Sequence, residues 1–156
     1  MVNESVLPLH ILLADDDTDD RYFFEKALKT LVVPTRLTTV TDGEELMSYL
    51  FDNDEELPSV LFLDINMPKK NGAECLTEIK RNEKLKLLPV VMYSTSGLLN
   101  AINLLYNEGA HYYVQKTDLA SLRKVLLEVL TLLIENGFAR PARENFIINM
   151  AVNKGS

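Results

Sequence analysis

The feature that most constrains the fold of this chain is a regular alternation of short apolar segments with longer amphipathic ones. Five short segments rich in aliphatic and β-branched residues alternate with five segments whose apolar residues recur at helical spacing. The strand-like segments are Leu9–Ala14, Arg36–Thr41, Ser59–Asp64, Pro89–Ser94 and His111–Gln115. Strict alternation of this kind predicts a parallel sheet with helices on both faces, joined by right-handed crossovers.

The helices are predicted from their apolar stripes and from the residues that begin or end them. They cover Thr18–Thr30, Glu44–Phe51, Gly72–Arg81, Leu98–Glu108, and a last helix from the N-cap Asp118 to about Asn136. Gly109 and Gly137 follow the last two helices as C-terminal stops. We therefore expect an α/β fold with a doubly wound, five-stranded parallel sheet of order 2-1-3-4-5, flanked by five helices.

Length and composition are those of an ordinary single domain. The chain has 156 residues, of which 47% are hydrophobic and 25% are charged, and a chain of this size buries roughly 70% of its unfolded surface. The net charge of −7 argues against nucleic acid as a partner, because binding to phosphates requires a basic surface. The single cysteine, Cys75, excludes an internal disulfide framework and a multi-cysteine metal site.

The expected organisation is one domain followed by a tail. Residues 1–137 carry the alternating pattern, and residues 138–156 form a tail that is too short for a separate effector domain. No apolar run reaches the roughly 18 residues of a membrane helix, and Met1–Pro8 lacks the pattern of a signal peptide. We therefore expect a cytoplasmic protein with no membrane partner.

Polar residues stand where four of the predicted strands end. Asp15 and Asp16 follow the first strand, Asp64 ends the third, Ser94 ends the fourth and Lys116 follows the fifth. Ligands of an open parallel sheet bind beyond the carboxyl ends of its strands. Because the order 2-1-3-4-5 makes the first and third strands neighbours, the three aspartates are expected to share one pocket.

Such a cluster of carboxylates must bind a proton or a cation. Two carboxylates about 4 Å apart repel by roughly 4 kcal/mol at an effective dielectric of about 20. An all-oxygen site open to water suits Mg²⁺, which prefers one or two carboxylates together with a phosphate. Lys116 and Ser94 supply a cation and a hydroxyl donor that suit a phosphoryl group placed between them and Asp64.

These residues and their motifs resemble the receiver domain of response regulators in two-component signalling. The resemblance spans about Leu9 to Asn136. It rests on the acidic pair in ILLADDD, Asp64 in VLFLDINMPKKNG, Ser94 in PVVMYSTSG and Lys116 in GAHYYVQK, each at the end of a strand. It implies a flavodoxin-like fold and a phosphoprotein of a phosphorelay, in this case a single-domain response regulator.

The resemblance implies a role for each residue of the cluster. Asp64 would be the phosphoacceptor, taking the phosphoryl group from a phosphohistidine of a histidine kinase or a phosphotransfer protein. Asp15, Asp16, Asp64 and the backbone carbonyl of Asn66 would hold Mg²⁺. The metal and Lys116 would neutralise the transferring phosphoryl group. The chain would catalyse only its own phosphorylation and slow dephosphorylation, and would not otherwise be an enzyme.

The resemblance also implies a switch. Ser94 would bond a phosphoryl oxygen after transfer, and Tyr113 would then turn inward, changing the surface that a partner reads. Asn66 and Ser96 occupy positions at which family members tune the lifetime of the phosphoryl group. Asp17 falls where the family commonly has a polar residue that is not a ligand. The overall pattern is most similar to small receivers that pair with sensor or phytochrome-type histidine kinases.

One departure from the family pattern concerns the residue after the lysine. The family usually has proline there, with a cis peptide bond, whereas this chain has Thr117. A cis bond without proline costs about 3–4 kcal/mol. We therefore expect either a cis bond held by the pocket or a trans bond that redirects Lys116 and weakens phosphorylation.

Three other functions fit less well or remain as alternatives. A calcium loop beginning at Asp15 would need glycine where Asp20 stands and glutamate where Lys26 stands. A phosphatase of the haloacid-dehalogenase type would need threonine at position 19, which is Asp19. The alternative that remains is a receiver-like interaction or adaptor module that works without phosphorylation.

The last predicted helix has more apolar surface than one packed face requires. Leu127, Leu130 and Ile134 lie beside the stripe that faces the sheet. Either this surface binds a second copy of the chain or a partner, or the tail segment Phe146–Val152 folds back to cover it. We expect self-association, that is, a homodimer through the last helix.

Overall fold

A computed structural model describes residues 8–95 and 99–148, which form a β-sheet with helices packed on both of its faces. The strands are β1 (Leu9–Ala14), β2 (Thr35–Val40), β3 (Val60–Asp64), β4 (Val90–Ser94), β5 (Tyr112–Gln115) and β6 (Ile147–Ile148). The helices are α1 (Thr18–Lys29), α2 (Gly43–Asp52), α3 (Gly72–Arg81), α4 (Leu99–Asn107) and α5 (Leu119–Glu135). One 3-10 turn lies at Arg143–Asn145.

The sheet is parallel, with the strand order β2-β1-β3-β4-β5-β6. The predicted fold class and the order of the first five strands are therefore confirmed. The short strand β6 was not predicted. It has two residues, which pair Ile147 with Tyr113 and Ile148 with Val114, and a strand this short has no periodicity to detect in a sequence.

Alternate residues of the buried strands feed two apolar clusters, one on each face of the sheet. On β1, Leu12 and Ala14 join the cluster packed by α2, α3 and α4. Ile11 and Leu13 join the cluster packed by α1 and α5. This two-sided burial explains why β1, β3 and β4 are nearly continuous apolar runs rather than alternating ones.

Four helices begin with a side-chain cap at the same edge of the sheet, next to the carboxyl ends of the strands. Asp17, Asp42 and Asp118 each accept a hydrogen bond from the backbone N–H three residues on. Asn71 forms a capping box with Glu74 at the start of α3. The helix starts, and with them the loops that surround the strand ends, are thereby fixed in place.

The tail folds back onto the domain instead of leaving α5 uncovered. Leu130, expected beside the packed stripe, is fully buried, and it belongs to the same apolar cluster as Ile148 of the tail. The second interpretation, that the tail folds back onto the domain, therefore holds for residues 146–148. Residues 149–152 lie outside the described residues. Leu127 and Ile134 remain 39% and 46% exposed.

Tail residues 140–146 are also attached to α4 by polar contacts. Arg140 donates hydrogen bonds to the carbonyls of Ala110 (3.1 Å) and Tyr106 (2.6 Å). The Tyr106 hydroxyl donates to the Pro141 carbonyl at 3.0 Å, and Phe146 is fully buried with its ring 5.1 Å from that of Tyr106. The tail thus packs on both faces of the sheet edge.

Among the described residues, no helix combines the length and the apolar character needed to span a membrane.

Candidate functional site

The carboxyl ends of β1 and β3 bring three aspartates together. Carboxylate oxygens of Asp15, Asp16 and Asp64 all lie within 4.8 Å of one another. Asp15 and Asp64 are buried, whereas Asp16 is exposed to solvent. The sequence predicted this convergence from strand order, and the register of β1 against β3 produces it.

The backbone around Asp64 is held closely by the start of α3. The Gly72 N–H donates to the Ile65 carbonyl at 2.8 Å. A Cβ atom at Gly72 would lie 2.2 Å from the carbonyl oxygen of Asp64, so only glycine allows this approach. The Asp64 carboxylate accepts a hydrogen bond from the Asn66 N–H at 3.3 Å, which fixes the loop after β3 against it.

Lys116 reaches across the strand ends and contacts three carboxylates. Its Nζ lies 2.9 Å from Asp15 Oδ2, 2.8 Å from Asp20 Oδ2 and 3.4 Å from Asp64 Oδ2. It also lies 5.1 Å from the centroid of the Tyr93 ring, a cation–π distance. Lys116 is thereby enclosed by β1, β3, β4 and α1.

The Lys116–Thr117 peptide bond is trans, since the described residues contain no cis bond. The expectation that a trans bond would redirect the lysine away from Asp64 is wrong. The reason is that the Lys116 N–H donates to the Ser94 carbonyl at 2.7 Å. This hydrogen bond extends the β4–β5 ladder to Lys116, so the orientation of its side chain does not depend on the bond to residue 117.

Asp20 belongs to this cluster and was missed in the sequence. It lies in the first turn of α1, and its carboxylate forms the shortest of the Lys116 contacts. The signal was available, because the first turn of a helix that follows β1 faces the same edge as the strand ends. Asp17, which was predicted not to be a metal ligand, caps α1 by accepting a hydrogen bond from the Asp20 N–H at 2.9 Å.

The protonation equilibria of the cluster follow from burial and from mutual charge. Burial raises the pKa of Asp64 to about 6, with Lys116 opposing the shift and Asp15 adding to it. Burial also raises the pKa of Asp15, opposed by the Asp17 N–H and by Lys116. Burial alone would lower the pKa of Lys116, but its contacts with Asp20 and Asp15 outweigh burial and raise it.

The predicted switch residues lie on β4, the neighbour of the strand that carries Asp64, and on β5, one strand further along the sheet. Ser94 ends β4 and is fully buried, and Tyr113 of β5 is fully buried as well. Burial raises the pKa of the Tyr113 hydroxyl, and the nearby Ser94 side chain opposes that shift. The Tyr113 N–H donates to the Phe146 carbonyl of the tail at 2.9 Å. Ser96 lies outside the described residues.

The donor set fits a hard divalent cation. The three carboxylates offer only oxygen ligands, and one of them faces solvent, which leaves room for water. Asp15 Oδ2 is buried and accepts no hydrogen bond from the described residues, although the Lys116 ammonium lies 2.9 Å away as an ion-pair partner. A cation placed among these oxygens would relieve the mutual repulsion that burial intensifies.

Comparison with known proteins assigns the fold and the site to one family. Residues 11–127 match the family model of the response regulator receiver domain. The chain belongs to this family. The resemblance seen in the sequence is therefore confirmed, and the receiver domain brings with it the classification as a response regulator of two-component systems.

Individual relatives agree with this assignment. The response regulator Rcp1 of Synechocystis sp. (strain ATCC 27184 / PCC 6803 / Kazusa) is 35% identical over 121 residues, which cover 75% of this chain and 82% of that protein. A crystal structure of Mn²⁺-bound Rcp1 matches 86% of this chain and all of that one, with a TM-score of 0.73 and 31% identity. The crystal structure of the phosphorylated cyanobacterial phytochrome response regulator RcpA matches 87% of this chain and all of the RcpA chain, with a TM-score of 0.74 and 31% identity.

Replacing Asp64 with asparagine is expected to stabilise the metal-free receiver domain by on the order of 3 kcal/mol at neutral pH. Because the folded pKa of about 6 exceeds the ordinary value of 3.8, ionising Asp64 disfavours the folded state. The penalty is absent below about pH 4, grows between about pH 4 and 6, and is complete above that range.

Urea unfolding in the presence of a chelator, repeated across that pH range, measures the difference between the two proteins. Asp52→Asn, at an exposed position near the end of α2, is the matched control and should leave the pH profile unchanged. An Asp64→Asn protein that is less stable than the parent above pH 6 would contradict the expectation.

Proposed function

We propose that the chain is a response regulator that accepts a phosphoryl group on Asp64 and signals through phosphorylation-dependent contact with another protein. The observation that carries the proposal is the convergence of Asp15, Asp16 and Asp64 with Lys116 at the ends of adjacent strands. The structure of a phosphorylated relative, RcpA, with 31% identity to this chain, supports the same chemistry here.

In the proposed step, a carboxylate oxygen of Asp64 attacks the phosphorus of a phosphohistidine on a histidine kinase or a phosphotransfer protein. An O–P bond forms as the N–P bond breaks, and the electron pair of the broken bond returns to the imidazole, which takes up a proton. The product is an acyl phosphate on Asp64. Lys116 stands 3.4 Å from Asp64 Oδ2 and is placed to offset the charge of the phosphoryl oxygens.

Asp15, Asp16, Asp64 and the backbone carbonyl of Asn66 are proposed to hold Mg²⁺. When bound, the ion supplies positive charge against the phosphoryl oxygens and keeps the carboxylates ionised. The Mn²⁺-bound structure of the relative Rcp1 supports a divalent ion as a ligand of this chain. The choice of Mg²⁺ rests on the all-oxygen donor set of this chain.

The proposed output depends on Ser94 and Tyr113. Phosphorylation adds about −1.5 to −2 of charge next to Ser94, which is placed to donate to a phosphoryl oxygen. A shift of Ser94 changes the packing around Tyr113, and Tyr113 is linked to the tail through the Phe146 carbonyl. The change then reaches α4, β5 and the tail, where a partner would read it.

The remaining parts of the proposal concern organisation and partners. Residues 1–137 form the receiver domain and 138–156 a tail without a separate domain. The chain is proposed to catalyse only its own phosphorylation and dephosphorylation. Its proposed location is the cytoplasm. Leu127 and Ile134, exposed on α5, are the surface proposed for a homodimer. A phytochrome-type histidine kinase is the first donor to test, because RcpA is a phytochrome response regulator.

The test is intact mass after incubation with acetyl phosphate and Mg²⁺. We expect a gain of one phosphoryl group that requires the metal and is absent from Asp64→Asn. The matched control is Asp42→Asn, which changes an aspartate that caps α2 at the same edge but lies outside the cluster, and it should still be phosphorylated. If neither acetyl phosphate nor a histidine kinase phosphorylates the parent chain, the alternative of an interaction module without phosphorylation is favoured.

A further inference from the structure

The edge of the sheet opposite Asp64, where the strands begin, contains two adjacent hollows. One has a volume of about 400 Å³, and its lining includes the side chains of Lys80, Lys86 and Arg140. The other, of about 440 Å³, has a largely apolar lining. Leu87 and Phe138 line both. We call the two hollows together the basal groove; the residues that characterise it are Lys80, Lys86, Leu87, His111, Phe138 and Arg140.

The hollow that contains Lys80, Lys86 and Arg140 has more positive than negative charge in its lining. No aspartate or glutamate lines either hollow in the described part of the chain. Lys80 donates to the carbonyls of Lys86 (3.1 Å) and Leu88 (2.7 Å), which leaves its third N–H for a ligand. Within residues 8–95 and 99–148, Arg140 likewise donates hydrogen bonds only to backbone carbonyls, and its guanidinium lies 4.1 Å from the centroid of the Tyr106 ring. Lys86 pairs with the exposed Glu83 at 3.0 Å.

The titration behaviour of the groove agrees with this excess of positive charge. Burial lowers the pKa of Lys80 to about 8, and the charge of Arg140 adds to the shift. Burial lowers the pKa of His111 to about 4, with Lys80 and Arg140 adding to it and the Phe138 carbonyl opposing it. Lys80 and Arg140 therefore repel each other, and an anion bound between them would reduce that repulsion.

The apolar part of the groove is open and shaped by a strained residue. Leu87 is 85% exposed at the rim, where it adds apolar surface next to the hollow. Phe138 has a φ of 63°, which a bulky side chain rarely adopts. It is held there because its N–H donates to the Leu133 carbonyl at 2.7 Å and its carbonyl lies 3.1 Å from His111 Nε2.

We propose that the basal groove binds a small carboxylic acid with a medium-length apolar chain. The carboxylate would lie among Lys80, Lys86 and Arg140, and the chain would cover Leu87 and Phe138 in the adjacent hollow. Each hollow has a volume in the range of small-ligand pockets, about 300–1,000 Å³. The paired character of the groove, cationic at one end and apolar at the other, selects this class over simple anions and over neutral apolar compounds.

Titration of the full chain with octanoate near neutral pH, followed by amide and histidine ring resonances in NMR spectra, tests the proposal. We expect saturable shifts at Lys86, Leu87, His111 and Phe138. Acetate and octanol, each of which lacks one half of the ligand, should bind at least about tenfold more weakly. Absence of saturable shifts up to about 10 mM octanoate, or equal binding of octanol, would overturn the proposal.

Surface variants with matched controls locate the site. Lys86→Gln is expected to weaken octanoate binding about tenfold, since it removes a charge-assisted contact. Lys84→Gln, at a neighbouring lysine paired with Asp54 outside the groove, should change nothing. Leu87→Gln should also weaken binding, whereas Val32→Gln, at a valine that is 89% exposed, should not. Equal effects of variants and controls would contradict the assignment.

This inference is independent of the phosphoacceptor. Asp64→Asn, which abolishes the proposed phosphorylation, should bind octanoate with unchanged affinity because Asp64 lies at the opposite edge of the sheet. Loss of octanoate binding in that variant would show that the shifts arise elsewhere than in the basal groove.

Discussion

Replacement of Lys116 with methionine is expected to lower the free energy of unfolding of the metal-free protein by about 3–5 kcal/mol at neutral pH. The ammonium lies within 3.4 Å of oxygens of Asp15, Asp20 and Asp64, and its own side chain is only 9% exposed. Methionine fills the space of the stem but leaves three acidic groups without their cation. The destabilisation should shrink toward about pH 4, because protonation of the carboxylates then removes their repulsion.

The same variant should phosphorylate about 10²–10³-fold more slowly, the usual effect of removing one group that stabilises developing charge. Urea unfolding at several pH values and the rate of mass gain with acetyl phosphate measure the two effects separately. Lys84→Met is the matched control. Its partner Asp54 is near the surface and the lysine itself is 69% exposed, so a loss of at most about 1 kcal/mol is expected. Equal losses in the two variants would contradict the role given to Lys116.

Replacement of Phe146 with alanine is expected to destabilise the protein by about 3–5 kcal/mol, the typical result of truncating a buried aromatic side chain. Phe146 is fully buried, packs edge-on against Tyr106 and is the residue whose carbonyl accepts from the Tyr113 N–H. Hydrogen exchange of the Tyr113 amide should accelerate together with the loss of stability, because the hydrogen bond depends on the position of the tail.

The control for Phe146 is Phe51→Ala on α2, where the ring is 43% exposed and a loss of about 1 kcal/mol or less is expected. Chemical unfolding of the three proteins gives the comparison. A Phe146→Ala protein as stable as the parent would mean that the tail does not contribute to the folded domain in solution.

The sequence predicted the elements whose residues carry a strong local pattern. Strands β1 and β3 are buried on both faces and therefore read as apolar runs, and α3 begins and ends where its cap and stripe indicate. The site residues at strand ends followed from topology alone, because parallel strands bring their carboxyl ends to one edge.

The parts that could not be predicted depend on contacts distant in sequence. The first turn of α1 is predictably at the same edge as Lys116, but the ion pair itself joins Asp20 to a residue 96 positions away and depends on how α1 packs in the folded chain. The prediction that a trans bond would turn the Lys116 side chain away from Asp64 was wrong. The hydrogen bond that orients Lys116 is accepted by the Ser94 carbonyl, which belongs to another strand and is distant in sequence. Leu130 was predicted to lie beside the packed stripe of α5, and its full burial was missed because nothing local to the helix indicates that Ile148 of the tail joins the same cluster.

The position of β6 beside β5 also bears on how the protein avoids aggregation. Without the tail, β5 would be the outermost strand, and its unpaired backbone groups next to Tyr113 and Val114 would be a template for strands from other molecules. With β6 in place, the outer strand on this side of the sheet has two residues in the described part of the chain, a length that offers a foreign strand little to pair with. Proteolytic loss of the tail would therefore expose β5 as a second outer strand and increase the tendency of the domain to associate edge to edge.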